Sequence, residues 1–431
     1  MSVADDVVIF AEHLSRDLES AVLLKVELAR RGVSSRVVVF NWGEAPAMLS
    51  CRPKVIVAPW CNDTAFSNVF EYFRGGHADG TFDVVNLCAE QLSSDDARNF
   101  LTCGTWMQDV YNVAWGDDFR DALVVRGGVD PGRILVAGSN RLDFFRPRLR
   151  PLSASKDELA AEHGLRPDVP WVLFIGNFSA CFCAADSLEQ IASHGYRHIA
   201  EFADLSRRAL GTLLEWMETL LCDSAAQGID FIYRPHPSEP VTEELRFLEE
   251  RFANFHVVGD RAVRDWLLNT DLAFVWLSTS AVEAAFADVP VFALDLVSVP
   301  AHLQVDLVNH LPRIASAAEL VSLVTAGDWD DLVGEDRLFA EEIGRYYHQS
   351  NRSVCEETAD LVERLLGEQT GSFACRTSPP RRVLKLAKWL AREVLWRLGV
   401  LQHMKRFRGA CKNHPQANAI AELEANLEAI W

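Results

Sequence analysis

The chain has no surplus of positive charge, no long apolar run and no metal-ligating cysteine pattern. Its 42 Lys and Arg stand against 61 Asp and Glu, a formal net charge of −19. A nucleic-acid binder is therefore not expected, because the phosphate backbone would repel most of the surface. No stretch approaches the ~20 apolar residues that span a bilayer. Ten cysteines are present, but no CxxC pair with matching His spacing, so a zinc site is not expected. Cys181 and Cys183 are two apart, and the others are scattered through apolar stretches such as Leu87-Cys88. That is the usage of reduced, buried thiols. The N-terminus carries Asp5-Asp6 where a signal peptide would place a basic segment before an apolar one. This predicts a cytoplasmic protein.

What is present is an ordinary globular composition, 49% hydrophobic and 24% charged, in a chain of 431 residues. That length exceeds one hydrophobic core and predicts two domains with an appendage. Strand patterns occur at Asp6-Val-Val-Ile-Phe10, Ser35-Arg-Val-Val-Val-Phe40, Lys54-Val-Ile-Val-Ala58, Val84-Val-Asn-Leu-Cys88 and Arg133-Ile-Leu-Val-Ala137. An amphipathic helix is expected from about Ser15 to Arg31. A segment with Pro147, Pro151, Pro167 and Pro170, and a short charged helix between them, reads as a linker. A second series opens at Trp171-Val-Leu-Phe-Ile175 and continues through a long helix, roughly 197–227, to Val289-Pro-Val-Phe-Ala-Leu294. Strands alternating with helices predict parallel, doubly wound sheets. The expected layout is an N-terminal Rossmann-like domain at 1–150, a linker at 151–170, a C-terminal Rossmann-like domain at 171–367 and a tail at 368–431. A helix near 333–366 should close the second domain and could cross back to the first.

The tail differs in charge from the rest. Residues 376–412 carry eleven Lys or Arg against the single acid Glu393, a net of +10, which leaves −29 elsewhere for the total of −19. Trp389 and Trp396 lie among leucines at helical spacing, with Arg and Lys on much of the other face. A basic amphipathic helix with tryptophans suits the headgroup region of an anionic membrane. The alternative is a helix that packs on the acidic body of its own chain.

Two motifs carry chemistry. Phe231-Ile232-Tyr233 runs into Arg234-Pro235-His236-Pro237-Ser238-Glu239, and Leu272-Ala273-Phe274-Val275-Trp276 runs into Ser278-Thr279-Ser280-Ala281-Val282-Glu283-Ala284. Open α/β sheets bind ligands at the carboxyl ends of their strands. A guanidinium grips phosphate oxygens bidentately, and an imidazole donates a hydrogen bond or proton to a leaving group. Ser278, Thr279 and Ser280 add hydroxyls at a helix start, where free N–H groups attract anions. Glu283, one turn on, suits the two hydroxyls of a ribose. Together these describe a pocket for a nucleotide: Arg234, His236, Ser278, Thr279, Ser280 and Glu283. No Asp-x-Asp pair closes a strand, and the site supplies its own positive charge, so no metal or cofactor is expected.

The same two segments carry a family resemblance, with Glu12-His-Leu-Ser-Arg16-Asp17-Leu-Glu19, Trp115-Gly116, Gly138-Ser-Asn-Arg141-Leu-Asp143-Phe-Phe-Arg-Pro147 and Gly176-Asn177-Phe178-Ser179 in shared order over roughly residues 8–295. The chain resembles bacterial surface-carbohydrate (capsule and lipopolysaccharide) biosynthesis proteins of GT-B type. Their relatives include retaining 3-deoxy-manno-octulosonic acid (Kdo) transferases, sialyl- and polysialyltransferases and CDP-glycerol glycerophosphotransferases. The resemblance implies a GT-B-like α/β fold, two Rossmann-like domains facing a cleft, and a glycosyltransferase. It also implies a CMP-linked acidic sugar as donor and a glycan or lipid-linked glycan as acceptor. His236 would act at the leaving group and Asp204 as nucleophile, with Asp186 second. Glu12 or Asp17 would be the acceptor base, and Arg16 and Asn177 would lie on the acceptor side. The family's second motif commonly has Thr-Gly where this chain has Ser280-Ala281. The expectation is a cytoplasmic transferase, peripheral on the inner face of the membrane. A CDP-glycerol phosphotransferase, a nucleotide-sugar epimerase and a catalytically silent scaffold are its alternatives.

Overall fold

The first strand, β1 (Val7–Ala11), is buried along its whole length, as a central strand of a parallel sheet covered on both faces must be. In the computed structural model the described residues are 5–12, 14, 17–61, 69–89, 91, 94, 102, 104, 106–193, 195–327, 329, 337–368, 371–375, 377–401, 414 and 418–430. The chain divides into two units, one of Met1–Gln91, Leu101–Asp143 and Tyr347–Trp431, the other of Leu92–Phe100 and Phe144–Tyr346.

In the first unit β1 is joined by β2 (Ser35–Val39), β3 (Val55–Ala58), β4 (Thr81–Asn86), β5 (Tyr111–Ala114) and β6 (Ile134–Val136). Their spatial order is β2-β1-β3-β4-β5-β6, all parallel. The second unit contains β7 (Trp171–Ile175), β8 (Asp230–Arg234), β9 (Phe255–Val257), β10 (Leu272–Val275), β11 (Val291–Leu294) and β12 (Arg313–Ile314). The order there is β12-β11-β10-β7-β8-β9, again parallel. A last strand, β13 (Phe373–Ala374), returns to the first sheet antiparallel to β4. Both sheets are doubly wound, and each unit is Rossmann-like.

Several elements escaped the sequence reading. In β5, Tyr111-Asn-Val-Ala, the buried Asn112 breaks the apolar run. Its amide donates to the Met107 carbonyl at 3.0 Å and accepts from Asn86 at 3.0 Å, so a residue that reads as polar is satisfied inside the sheet. Strands β9, β12 and β13 are two or three residues long, too short for a pattern to show. The helix expected near 333–366 is two helices, Arg337–Tyr346 and Val354–Glu368. The short charged helix expected between the prolines is Lys156–His163, with a capping box of Ser155 and Glu158, and the segment groups with the second unit.

The Val354–Glu368 helix belongs to the first unit because Asp143 caps it. This carboxylate is 1% exposed and accepts from the Val354 and Cys355 backbone N–H groups at 3.0 and 2.9 Å. Arg31 adds ion pairs to Asp360 and Glu363 on the same helix. The tail helix, Pro379–Arg397, also returns to this unit, and Trp389 enters the cluster formed by Phe40, Met48 and Phe70.

Replacing Asp143 by Ala leaves two buried N–H groups without acceptors, and such groups cost about 1–3 kcal/mol each when orphaned. We expect Asp143→Ala to lower unfolding free energy by about 2 kcal/mol in urea titrations, with Asp143→Asn, which keeps one acceptor, losing less.

Candidate functional site

In the second sheet the chain leaves β7 for β8 and β9 on one side and later returns with β10 on the other. The crevice beyond the strand ends at such a reversal is where doubly wound sheets take ligands. Three loops meet there. Gly176-Asn177-Phe178 follows β7, Pro235–Glu239 follows β8, and Trp276–Thr279 follows β10.

Glu239 ties the first two loops together. It is 4% exposed and accepts from the Tyr233 hydroxyl, from Phe178 N at 3.1 Å and from His236 N at 3.4 Å. Burial pushes its carboxyl above the usual range, and Tyr233 and the two backbone donors work against that shift. Burial and the adjacent Glu239 charge push the Tyr233 hydroxyl well up, so it keeps its proton and donates. Gly176 has no room for a side chain, since a Cβ would stand 2.7 Å from the Tyr233 hydroxyl and 2.9 Å from Glu239 Oε2. Its N–H also donates to the Arg234 carbonyl at 2.8 Å.

Asn177 ties the second pair, its Nδ2 donating to the Leu277 carbonyl at 2.8 Å. Leu277 sits at φ +47°, a left-handed conformation that costs a branched residue about 1–3 kcal/mol. Sequence reasoning expects Asn177 on the acceptor side; the structure puts it in the second unit, among the loops that carry the phosphate motifs. Behind these loops Phe178 stacks on Trp276 at 5.0 Å, and Phe202 stacks on Trp276 at 6.0 Å.

Arg234 is the last residue of β8 and is 6% exposed. One guanidinium N–H donates to the Arg261 carbonyl at 2.9 Å, while Nε has no hydrogen-bond partner among the described residues. Burial pulls its pKa down, and the charges of Glu283, Asp260 and Asp265 pull it back up. Arg234 of the first motif and Glu283 of the second are thus electrostatic neighbours, brought together by the adjacency of the loops. His236 accepts from Ser238 N at Nδ1, 3.2 Å away. In the neutral ring this places the proton on Nε2, which makes that nitrogen the donor.

The serine cluster is organised differently from expectation. Ser280–Phe286 is a two-turn helix whose first N–H groups are already engaged, Ser280 N with the Ser278 hydroxyl at 3.3 Å, Ala281 N with Ser278 O and Val282 N with Thr279 O. Ser278 acts as a turn residue here, which leaves anion contacts to the hydroxyls of Thr279 and Ser280. Ala281 is buried.

The other predicted residues are dispersed. Asp204 lies on the Ile199–Leu221 helix with its side chain 75% exposed and ion-paired to Arg207 at 2.6 Å, the surroundings of a solvated helix-face acid. Asp186 is exposed on the Ala185–Ser193 helix. In the first unit Glu12 follows β1 and accepts from Trp60 Nε1 at 2.5 Å. This contact spans the reversal between β1 and β3, the other switch point. Asp17 is buried at the start of the Leu18–Arg30 helix. Arg16 and His13 lie outside the described residues. Glu239, Tyr233 and Gly176 were missed as a set. The Arg-Pro-His-Pro-Ser-Glu run ends on Glu239, but nothing in the run says that this acid turns inward.

Among the described residues two groups have the composition and spacing to hold a metal ion, His198 with Glu201 and His302, and Glu162 with His163 and Asp260. In the first, Glu201 already bridges both imidazoles at 3.2 and 2.9 Å. Neither group includes a residue of the two motifs.

No family model matches the chain, and no curated protein matches its sequence. The solved structures do match it in fold. The wall teichoic acid polymerase TagF superposes with a TM-score of 0.57 at 11% identity, over 85% of this chain and 90% of that one. An H444N variant of TagF soaked with CDPG superposes with a TM-score of 0.54 at 14% identity and the same coverage. The fold is GT-B-like, two parallel-sheet Rossmann-like domains with a C-terminal helix.

The raised pKa of Glu239 sets a pH dependence. A carboxyl whose folded pKa lies above its ordinary value of 4.5 contributes stability that is full below that value and lost as pH rises through the folded pKa. Glu239→Gln cannot ionise. The unfolding free energy of wild type minus that of the variant should therefore be largest at and below the ordinary value of 4.5 and fall as pH rises above it in denaturant titrations.

Proposed function

We propose that this chain is a GT-B-type transferase of bacterial surface-polysaccharide assembly that moves a sugar, Kdo or another acidic sugar, from a CMP-linked donor to a glycan or lipid-linked glycan. The observation that carries the reading is Arg234, a buried guanidinium at a topological switch point with one backbone acceptor and an unpartnered Nε among the described residues. A buried cation so sparsely paired is costly unless a ligand completes it. A phosphate does so bidentately.

In this reading the acceptor oxygen bonds to the anomeric carbon, the bond from that carbon to the phosphate oxygen breaks, and the electrons of the broken bond stay with CMP. Arg234 stabilises that developing charge. His236 donates from Nε2 to the departing phosphate, Thr279 and Ser280 add hydroxyl donors, and Glu283 takes the ribose hydroxyls. The proton of the acceptor hydroxyl passes to Glu12 or Asp17, with Arg16 beside them in sequence. Asp204 keeps no part, given its surface ion pair. The protein would work in the cytoplasm and peripherally at the inner face of the membrane, where its basic tail meets anionic lipid.

A second reading is favoured by the likeness to TagF, one structure of which holds the CDPG soak. Here a glycerol phosphate would move from CDP-glycerol, with the acceptor oxygen attacking phosphorus. CMP leaves in this case too, so the same phosphate groups serve both reactions.

Thermal and denaturant stability with CMP, CDP, UDP and GDP, on wild type and on Arg234→Ala, tests the reading. At a hundredfold its dissociation constant a ligand adds about 2.7 kcal/mol, and we expect CMP to do so for wild type only. Turnover of CMP-Kdo against CDP-glycerol then separates the two donors. Preference for a uridine or guanosine nucleotide would overturn the cytidine assignment, and silence towards all four would leave the scaffold.

A further inference from the structure

The tail helix is mounted the opposite way round from what its composition invites. Three of its cations, Arg382, Lys385 and Arg392, and both tryptophans face the protein. Arg382 donates to the Tyr72 carbonyl at 2.8 Å, and Arg392 reaches Asn41 at 3.0 Å and the buried Glu44 at 3.4 Å. Lys385 lies over the rings of Tyr72 and Trp389. Trp389 is buried, and Trp396 packs on Trp42 with centroids 5.2 Å apart. Leu386 packs inward with them, and the other leucines and valines are left on the outside.

Of the twelve large apolar side chains exposed among the described residues, seven lie between Val383 and Val400. Val383, Leu390, Val394 and Leu398 recur at the spacing of one helical stripe, and Val383 and Leu398 are 66% and 69% exposed. A contiguous apolar face of this kind marks an interaction surface. Exposed cations border it, Arg397 along one edge and Arg381 and Lys388 along the other. Glu393, the one acid of the helix, is half-buried, with Arg397 and His414 beside it.

We propose that this stripe docks on an anionic lipid surface, with the helix lying in the plane of the headgroups. The inference deepens the membrane placement given above and rests on it. An apolar strip rimmed by cations is the pattern of an interfacial helix. No helix among the described residues is long and apolar enough to cross a membrane, so the contact is with one leaflet. Charge also selects the lipid over a second copy. An isologous contact through this face would bring the cationic edges of two copies, Arg381 and Lys388 on one and Arg397 on the other, up against cationic edges of the partner, whereas an anionic surface attracts each of them, about fivefold in partitioning per cation. The rest of the chain, at −29 when residues 376–412 are set aside from the total of −19, is repelled by the same surface. That repulsion orients the protein tail-first.

The test is sedimentation of the full chain with vesicles of phosphatidylglycerol, with phosphatidylcholine vesicles as the uncharged control. Wild type should sediment with the first and at least about tenfold more weakly with the second. L390E/V394E changes two exposed positions and should weaken binding at least about tenfold with an unchanged unfolding midpoint. Wild type remaining in the supernatant, or the variant sedimenting as well as wild type, would overturn the proposal. So would a wild-type dimer in analytical ultracentrifugation that L390E/V394E converts to a monomer, because the face would then belong to a second copy. Stabilisation by CMP, measured on the same samples, reports on the donor site alone. Its loss with vesicle binding intact sinks the transferase reading and spares this one.

Discussion

The candidate site depends on one buried carboxylate. Glu239 closes the Arg-Pro-His-Pro-Ser-Glu loop onto its own strand through Tyr233 and onto the neighbouring loop through Phe178 N. Two prolines already stiffen the segment, and the carboxylate fixes where that stiff piece points. It also dictates Gly176, whose missing side chain is the space that Tyr233 and Glu239 occupy. Asn177 then passes the constraint to the β10 loop through Leu277. The loops that carry Arg234, His236, Thr279 and Ser280 are held together by this chain of contacts.

A comparable logic assembles the first unit. The chain returns to it after Tyr346, and the return is anchored by groups far apart in sequence: Asp143 capping Val354 and Cys355, Arg31 pairing with Asp360 and Glu363, Asp83 accepting from Ser372 N at 3.1 Å, and Arg392 meeting Glu44. Burial pushes the Glu44 carboxyl up while Arg392 draws it down. These are charged and polar groups placed inside, where each must find its partner or cost several kcal/mol. They specify the return more sharply than apolar contacts could, because a slip of one residue would leave a charge unpaired.

Much of this was legible in the residues. The runs Val7–Ala11, Val55–Ala58, Trp171–Ile175 and Leu272–Val275 are apolar throughout because both faces of each strand are covered, and that pattern alone reports a parallel sheet. The strand-then-cation and strand-then-hydroxyl order at Arg234 and Ser278 located the loops. What stayed hidden were strands such as β5, where a buried Asn112 pairs with another amide, and roles that need a partner from elsewhere. Glu239 and Asp143 look like surface acids until Phe178 and Val354 arrive beside them. Asp204 and Asp186 look like candidate nucleophiles until they are found on exposed helix faces.

The tail shows the division most clearly. Periodicity determined that residues 379–397 form an amphipathic helix with one basic and one apolar side, since a 3.6-residue repeat is a local property of the chain. Which side turns outward is not local. It was decided by Tyr72, Asn41, Glu44 and Trp42, which offer Arg382, Lys385, Arg392 and the two tryptophans better partners than water does and so leave most of the leucines and valines exposed. In the same way the sequence by itself determined two doubly wound domains and the segments that end at their strands. Only the tertiary structure decided that Arg234 would meet Glu283 and that Asn177 would reach Leu277 in the loop after β10. Each of those outcomes depends on which strands become neighbours, and strand order is a property of the folded sheet.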